Sequence, residues 1–434
     1  MGRFQPPRGT RDFMPDDMVR REYIFGKVRS VFERFGFRPM ETPAFESWDL
    51  LGAKGGGGDA IKDEIYLFRD KGKRQMGLRF VLTVPASRVV ATNPQLPKPF
   101  KRYQIGRVWR YDKPQAGRFR EFWQSDIDVF GSSGMEAEAE CIATLVAAIE
   151  SLGFKGFEVR LNNRKILNGM VRAAGVNKGK SEDVFRSLDK IEKQGESKVR
   201  KELCLVGIDD SSIDKLMRMI GISGKPAEAL ASARRELGKD KEAAEGINEL
   251  EDVVSLSKAY GVRNIVIDFG LVRGLDYYTG PIYEIKAKTK TSVGSIAGGG
   301  RYDKLIELYG GPPTPATGGS IGVERVYEIL CAEGMLDLPS TATRVFIAMV
   351  GDNPEVKRNA IQLSQKLRAM GVAVETDLMD RKLKQCFEYA EKAGIPYMII
   401  MGEKEMKEGR LVLKDLKKRE QKRLTVSGVI KELK

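Results

Sequence analysis

The sequence predicts an α+β protein with an antiparallel-sheet core, a helical insertion in that core and a C-terminal α/β domain. Three observations carry this. Residues 100–131 hold two strand-like runs, "KRYQIGRVWRY" and "REFWQSDIDVF", joined by the polar loop "DKPQAGRF", which is the pattern of an antiparallel hairpin. Residues 165–260 are rich in Lys, Glu, Ala and Leu and poor in β-branched runs, so they read as helices between two groups of strands. Beyond residue 344 strands and helices alternate, which implies a small, mostly parallel unit.

Taken in order, residues 18–36 carry Ile24, Val28, Val31, Phe32 and Phe35 at helical spacing, with Gly36 as a stop. "RPMETPAFE" (38–46) reads as extended, and Pro43 favours an edge or an interface. The hairpin follows, then a helix over 136–152. The helical insertion ends at the strand-like "NIVIDF" (264–269). Strands are expected at 281–287 and 293–298, followed by the glycines of "SIAGGGRYD" (295–303). "GGSIGVERVYEIL" (318–330) enters a helix at about Glu324, and "LDLPSTAT" (336–343) is a hinge. After it come "VFIAMV", a helix at 354–370, "VAVETD", a helix at 381–393, "YMIIMG", "LVLKDL" and a final helix. The expected divisions are 1–164 and 261–335 for the two parts of the core, 165–260 for the insertion, 336–343 for a linker and 344–434 for the last domain.

A chain of 434 residues is too long for one compact core. Its formal charge of +14 suggests a polyanionic partner, nucleic acid first, although a lysine-rich solvated surface fits the total as well. Location favours the first reading, because residues 344–434 hold roughly +7 of the excess, densest in "KDLKKREQKR" (414–423). The chain has no histidine, which excludes nucleophiles activated by imidazole. Cys141, Cys204, Cys331 and Cys386 lie far apart, so no metal site is expected from protein His or Cys, and scattered thiols fit a cytoplasmic protein. No apolar run approaches the ~20 residues of a membrane span, and the N-terminus has no apolar signal-peptide core, so no membrane association is expected.

The hairpin is dense in arginine: Arg107, Arg110, Arg118 and Arg120 stand beside Asp112, Glu121, Gln124, Asp126 and Asp128. Strand alternation places Arg118 and Arg120 on one face, continued by Phe122 and Gln124. Forked guanidiniums on rigid strands suit phosphate oxygens, and a flat Phe122 suits a base. A solvated hairpin with cross-strand ion pairs has the same pattern. The glycines of "AGGGRYD" suit a phosphate nest. In "GLVRGLDYYTG" (270–280) Arg273 precedes the pair Tyr277 and Tyr278, in a chain with no imidazole for acid–base work.

Together these segments resemble class II aminoacyl-tRNA synthetases. "RVWRYDKPQAGRFREFWQSDIDVFG" resembles their second signature motif, "GGSIGVERV" their third, and the 18–36 helix with the Pro43 strand their first. "LVRGLDYYTG" and "SIAGGGRYD" resemble the two motifs peculiar to histidyl-tRNA synthetases, while "LTVP" and "REFWQSDID" are similar to the archaeal and eukaryotic branch. The resemblance covers nearly the whole chain.

That resemblance implies a homodimeric histidine–tRNA ligase with a C-terminal anticodon-binding domain, using L-histidine, tRNA(His) and ATP with Mg2+. The reacting carboxylate is already ionised, so the transition state needs positioning and positive charge rather than a base. Arg273 would sit on the carboxylate and the α-phosphate, where related enzymes hold a metal ion, and Arg110 would hold the α-phosphate from the other side. Asp112 would orient the adenine edge, Arg118 would meet the distal phosphates, and Phe122 and Arg325 would sandwich the base. Asp128 and Tyr278 would each take one imidazole nitrogen, with Tyr277 and Tyr302 lining the pocket. Thr83 and Gln124 would hold the α-amino group. Pairing both nitrogens gives discrimination without editing.

One position departs from the family. In "LRFVLTVPASR" (78–88), otherwise similar members carry an acidic residue where this chain has Val81. Valine cannot supply that charge to the substrate ammonium. Three readings stay open: a catalytically impaired or regulatory relative, another carboxylate in the role, or a valine that packs beneath the site.

Overall fold

A computed structural model describes residues 4–53, 63–113, 117–272, 277–291 and 294–433. It has two compact units: Ile24–Met335 with the N-terminal residues to Arg11, and Leu336–Lys434 with Asp12–Tyr23. In the first unit the described strands are β1 (Arg38–Pro39), β2 (Phe45–Ser47), β3 (Leu67–Arg69), β4 (Gln75–Leu78), β5 (Phe100–Trp109), β6 (Glu121–Phe130), β7 (Phe157–Asn163), β8 (Ser223–Gly224), β9 (Ile265–Asp268), β10 (Pro281–Ala287), β11 (Ala297–Arg301) and β12 (Ala316–Gly322). They form one sheet in the order β1-β5-β6-β12-β11-β10-β7-β9-β8, and β2, β4 and β3 form another. From β5 to β7 every pairing is antiparallel, while β1 joins β5 and β9 joins β7 in parallel.

The hairpin β5–β6 pairs from Phe100 opposite Phe130 to Trp109 opposite Glu121. Ile127 lies opposite Gly319, and a Cβ on Gly319 would point at Leu145 of the helix Glu136–Ser151. The odd-numbered residues of β6 therefore face that helix, and Phe122, Gln124, Asp126 and Asp128 take the opposite face. The helix Pro15–Arg34 starts three residues before the expected start at Met18, at a proline with Asp16 and Asp17 in its first turn, a combination suited to a helix N-terminus. Gly36, at φ +78°, follows its end. The helix Thr83–Thr92 was not legible in advance, because "TVPASRVVAT" combines Pro85 with β-branched residues; its proline sits in the first turn, where the missing N–H costs nothing. "RPMETPAFE" divides between the edge strand β1 and the strand β2 of the small sheet.

The glycines of "SIAGGGRYD" do not form a phosphate nest. A nest needs left-handed backbone, whereas Ala297–Arg301 is an extended strand in the middle of the sheet. Gly299 faces Gly319 and Gly300 faces Gly318 across the β11–β12 ladder. A Cβ on Gly299 would lie 2.6 Å from the Gly319 Cα and 2.7 Å from the Tyr283 hydroxyl, and one on Gly300 would lie 2.6 Å from the Pro281 carbonyl oxygen. Bare backbone is what lets these neighbours approach.

The second unit contains β13 (Val345–Met349), β14 (Val374–Thr376), β15 (Tyr397–Met401), β16 (Leu411–Asp415) and β17 (Glu420–Leu424), in the order β14-β13-β15-β16-β17. Its pairings are parallel among β14, β13 and β15 and antiparallel from β15 to β17, so the mostly parallel expectation is corrected. "LVLKDL" is the first arm of a hairpin. Its second arm, "EQKRL", is exposed and charged, so it has no apolar alternation to betray it. The Asp415 carboxylate accepts the backbone N–H groups of Lys417 and Lys418, and Arg419 turns the chain at φ +59°.

Gly299→Ala should lower the stability of the first unit by at least about 1–3 kcal/mol, the usual cost of overpacking. Thermal unfolding followed by circular dichroism checks it; an unchanged midpoint would mean that β11 and β12 are not packed this closely.

Candidate active site

A cleft of about 690 Å3 lies in the first unit, bordered by β6, by the glycines of β11 and β12, and by the segments around them. Val81, Thr83, Arg110, Asp112, Arg118, Phe122, Gln124, Tyr277, Tyr278, Tyr302 and Arg325 all border it. Arg273 lies outside the described residues. Val272 and Tyr277, on either side of that segment, both border the cleft. Asp128 is not among the residues that border it, although Gly318, beside its carboxylate, is.

Arginines gather at one end. Arg110 Nε donates to the Phe80 carbonyl at 2.9 Å, and its guanidinium lies 5.3 Å from the Phe122 ring centre. Arg118 Nη1 donates to Asp112 Oδ2 at 3.0 Å, and Asp112 Oδ1 accepts the Lys113 N–H at 2.7 Å. Arg325, in the first turn of the helix Val323–Ala332, donates from Nη1 to the Ser295 carbonyl at 2.6 Å. Arg120 leaves the face it was expected to share with Arg118, because the regular strand begins only at Glu121. It lies over the Tyr111 ring at 3.8 Å and donates to the Asp112 carbonyl at 3.2 Å. Glu64, unforeseen from sequence, borders the same end; burial first, then the Asp112 charge, raise its carboxyl.

Tyrosines gather at the other end. The Tyr277 ring lies 4.8 Å from Tyr278 and 5.6 Å, edge-on, from Tyr302. The Tyr302 hydroxyl donates to Asp128, whose carboxylate also pairs with Arg102, its direct cross-strand neighbour. Arg102 is 0% and Asp128 1% exposed, so the pair is sealed behind the tyrosines. Burial raises the Asp128 carboxyl, while Arg102 and Tyr302 oppose that rise. Burial and the neighbouring Asp128 charge push the Tyr302 hydroxyl well up, which keeps it a donor. Gly318 leaves room for Asp128, since a Cβ there would collide with its carboxylate.

Between the two ends stand Thr83, Gln124, Asp126 and Val81. Gln124 Nε2 donates to Ser320 Oγ at 3.0 Å. Gln124 Oε1 and Asp126 Oδ1 are buried acceptors with no hydrogen-bond partner among the described residues. Asp126 is 2% exposed, and burial pushes its carboxyl up to about 7, with Arg102 lowering and Asp128 raising it further. Val81 borders the cleft and also belongs to an apolar cluster with Leu50, Leu51, Ile65, Phe80 and Val84.

The helical segment reaches the cleft through ion pairs. Arg160 Nη1 bonds Asp268 at 3.1 Å and Glu192 at 2.9 Å, and Lys286 Nζ bonds Glu192 at 2.6 Å. This ties the short helix Ile191–Gln194 to β7, β9 and β10. Asn162 Nδ2 donates to the carbonyls of Phe269 (3.2 Å) and Leu271 (2.9 Å), fixing the chain as it approaches residue 273. Partners so distant in sequence leave no local signal. Among the described residues no group of three or more His, Cys, Asp or Glu could hold a metal ion, and no helix is long and apolar enough to cross a membrane.

The family model for histidyl-tRNA synthetase matches residues 9–326, and that for an anticodon binding domain matches residues 344–434. The chain is 38% identical over 437 aligned residues to the histidine–tRNA ligase of Thermococcus kodakarensis, covering 100% of this chain and 99% of the relative. It is 40% identical to that of Korarchaeum cryptofilum, covering 95% of each chain. The crystal structure of histidyl-tRNA synthetase from Nostoc sp. PCC 7120 superposes with a TM-score of 0.84 at 31% identity, covering 100% of this chain and 99% of that one.

Asp128→Ala should cost about 3–5 kcal/mol, because it leaves the buried Arg102 charge unpaired. Urea unfolding at neutral pH checks this; a loss below about 1 kcal/mol would mean that Arg102 is neutralised from elsewhere.

Proposed function

The chain belongs to the histidyl-tRNA synthetase family, and from that premise we propose that it is an ATP-dependent histidine–tRNA ligase acting on tRNA(His). The observation that carries this reading is the meeting of Arg110, Phe122 and Arg325 with Tyr277, Tyr278 and Tyr302 in one cleft. In the first step a histidine carboxylate oxygen attacks the α-phosphorus of ATP, the bond to the bridging oxygen breaks, and pyrophosphate leaves with its electron pair. The second step transfers the acyl group to the 3′-terminal ribose of the tRNA and releases AMP.

Like charges meet in the first step, so fixed guanidiniums lower its barrier. Arg273 and Arg110 hold the α-phosphate from two sides, Arg118 meets the distal phosphates, and Asp112 orients the adenine between Phe122 and Arg325. Glu64 and Asp112, whose carboxylates repel one another, are the groups that would face a magnesium ion on the phosphates, which would neutralise part of their charge. Tyr278 and Tyr302 address the imidazole, and Asp128 acts through the Tyr302 hydroxyl as a positioning residue. Thr83 and Gln124 hold the α-amino group.

The anticodon contacts fall to residues 344–434. The protein acts in the cytoplasm as a homodimer, and Phe45 (50% exposed) and Phe68 (40%), in contact on the small sheet, are apolar groups that a second copy would cover. Val81 favours a second reading, a catalytically impaired or regulatory relative. Histidine-dependent ATP–pyrophosphate exchange decides: exchange supports the ligase, and histidine binding without exchange supports the second reading.

Arg273→Ala should reduce the rate of adenylate formation far more than histidine binding, since its charge is most useful as the pentavalent phosphorus forms. Single-turnover kinetics beside calorimetry measure the two, and equal losses would reduce Arg273 to an anchor.

Replacing Lys417, Lys418 and Arg419 by glutamine should weaken tRNA binding and flatten its salt dependence, by up to about 0.7–0.9 in log–log slope per lost phosphate contact. Adenylate formation should not change. These three are exposed at the turn, whereas Lys422 and Arg423 are already paired with Glu432 and Glu408. Binding isotherms at several salt concentrations check it; an unchanged slope removes the turn from the RNA footprint.

A further inference from the structure

We propose that Asp126 supplies the carboxylate that receives the α-ammonium of the amino-acid substrate, the role that Val81 cannot fill. The inference rests on the histidine-activating reading of the cleft and assigns a residue that the family resemblance left without a role.

Three observations converge on it. Asp126 borders the cleft and is 2% exposed, and its Oδ1 lies out of contact with bulk water. Its Oδ1 and the Oε1 of Gln124 are both buried acceptors without hydrogen-bond partners among the described residues. They stand two residues apart on one strand face, about 7 Å along the backbone. Thr83 offers a hydroxyl on the same cleft. Two orphaned acceptors and a hydroxyl match a group with three N–H donors and a positive charge. The tyrosine end suits a ring, and the arginine end suits phosphates and a carboxylate, which leaves this middle station for the ammonium.

The surroundings agree. Arg102 and Arg110 act on Asp126 from β5 and beyond it, Asp128 from its own strand, and Ser320 from β12. Those influences leave the carboxyl raised by burial to about 7, so a cation beside it would restore its ionised form. Val81 packs among Leu50, Phe80 and Val84, a setting in which a carboxylate would be costly.

The test uses the whole chain and two ligands: histidinol, which keeps the amine and lacks the carboxylate, and 3-(imidazol-4-yl)propionate, which keeps the carboxylate and lacks the amine. Calorimetry should show that Asp126→Asn weakens histidinol binding about 10–100-fold, the range of a charge-assisted hydrogen bond, while imidazolylpropionate binding stays within about twofold. In the unaltered chain the ratio of histidinol to imidazolylpropionate affinity, corrected for the ionisation of each free ligand, should rise as pH passes upward through 7. The sign follows because Asp126 gains its charge over that interval while the ammonium keeps its own. Equal weakening of both ligands, or unchanged histidinol binding, would overturn the assignment. Should Asp126→Asn not fold, a flat ratio in the unaltered chain does the same. Histidine-dependent exchange by the unaltered chain tests the ligase reading separately, because the ligand pair reports on Asp126 even where histidine binds without being activated.

Discussion

The cleft depends on one buried ion pair. Arg102 and Asp128 face each other across β5 and β6 without exposure, and Asp128 in turn holds the hydroxyl of Tyr302. A slip of one residue between these strands would send Asp128 to the side of the helix Glu136–Ser151 and strand Arg102. The pair therefore fixes the register that also puts Phe122, Gln124 and Asp126 on the cleft. Buried ion pairs recover little net stability after desolvation, so its value lies in this uniqueness of arrangement.

What was legible in the sequence follows from what has a period. The hairpin and the strand–helix alternation of the last domain show as apolar runs, and the helices of 165–260 as a stretch rich in Lys, Glu, Ala and Leu with few β-branched runs. β17 does not, because a strand exposed on a charged hairpin has no buried face. The glycines of β11 read as a loop, since glycine is a loop residue until a facing strand demands bare backbone. Strand parity placed Phe122 and Gln124 on the cleft face of β6, but parity carries no information about depth. It could not say that Asp128 would be buried against Arg102, twenty-six positions earlier in the numbering. Asp126 shares that parity and was passed over, because nothing local separates an acceptor that has a partner from one that lacks it.

The site is graded along its length. One end is a field of arginines, partly neutralised by Asp112 and Glu64; the other is an aromatic wall whose charges are sealed behind it. A substrate with anionic, cationic and aromatic parts would find a different solvent at each. Val81 fits this gradation as part of the apolar packing beneath the middle.

The glycine ladder has a consequence for the thermodynamics of binding. Gly298, Gly299, Gly318 and Gly319 give the cleft a floor of peptide backbone already locked in a sheet. A side chain on a binding surface gives up rotamer freedom when a ligand settles on it, at about 0.5–1.5 kcal/mol for a flexible one. A glycine has no rotamers to lose. A ligand lying on this floor freezes nothing beneath it, so the entropy lost on binding is confined to the walls and to the ligand itself.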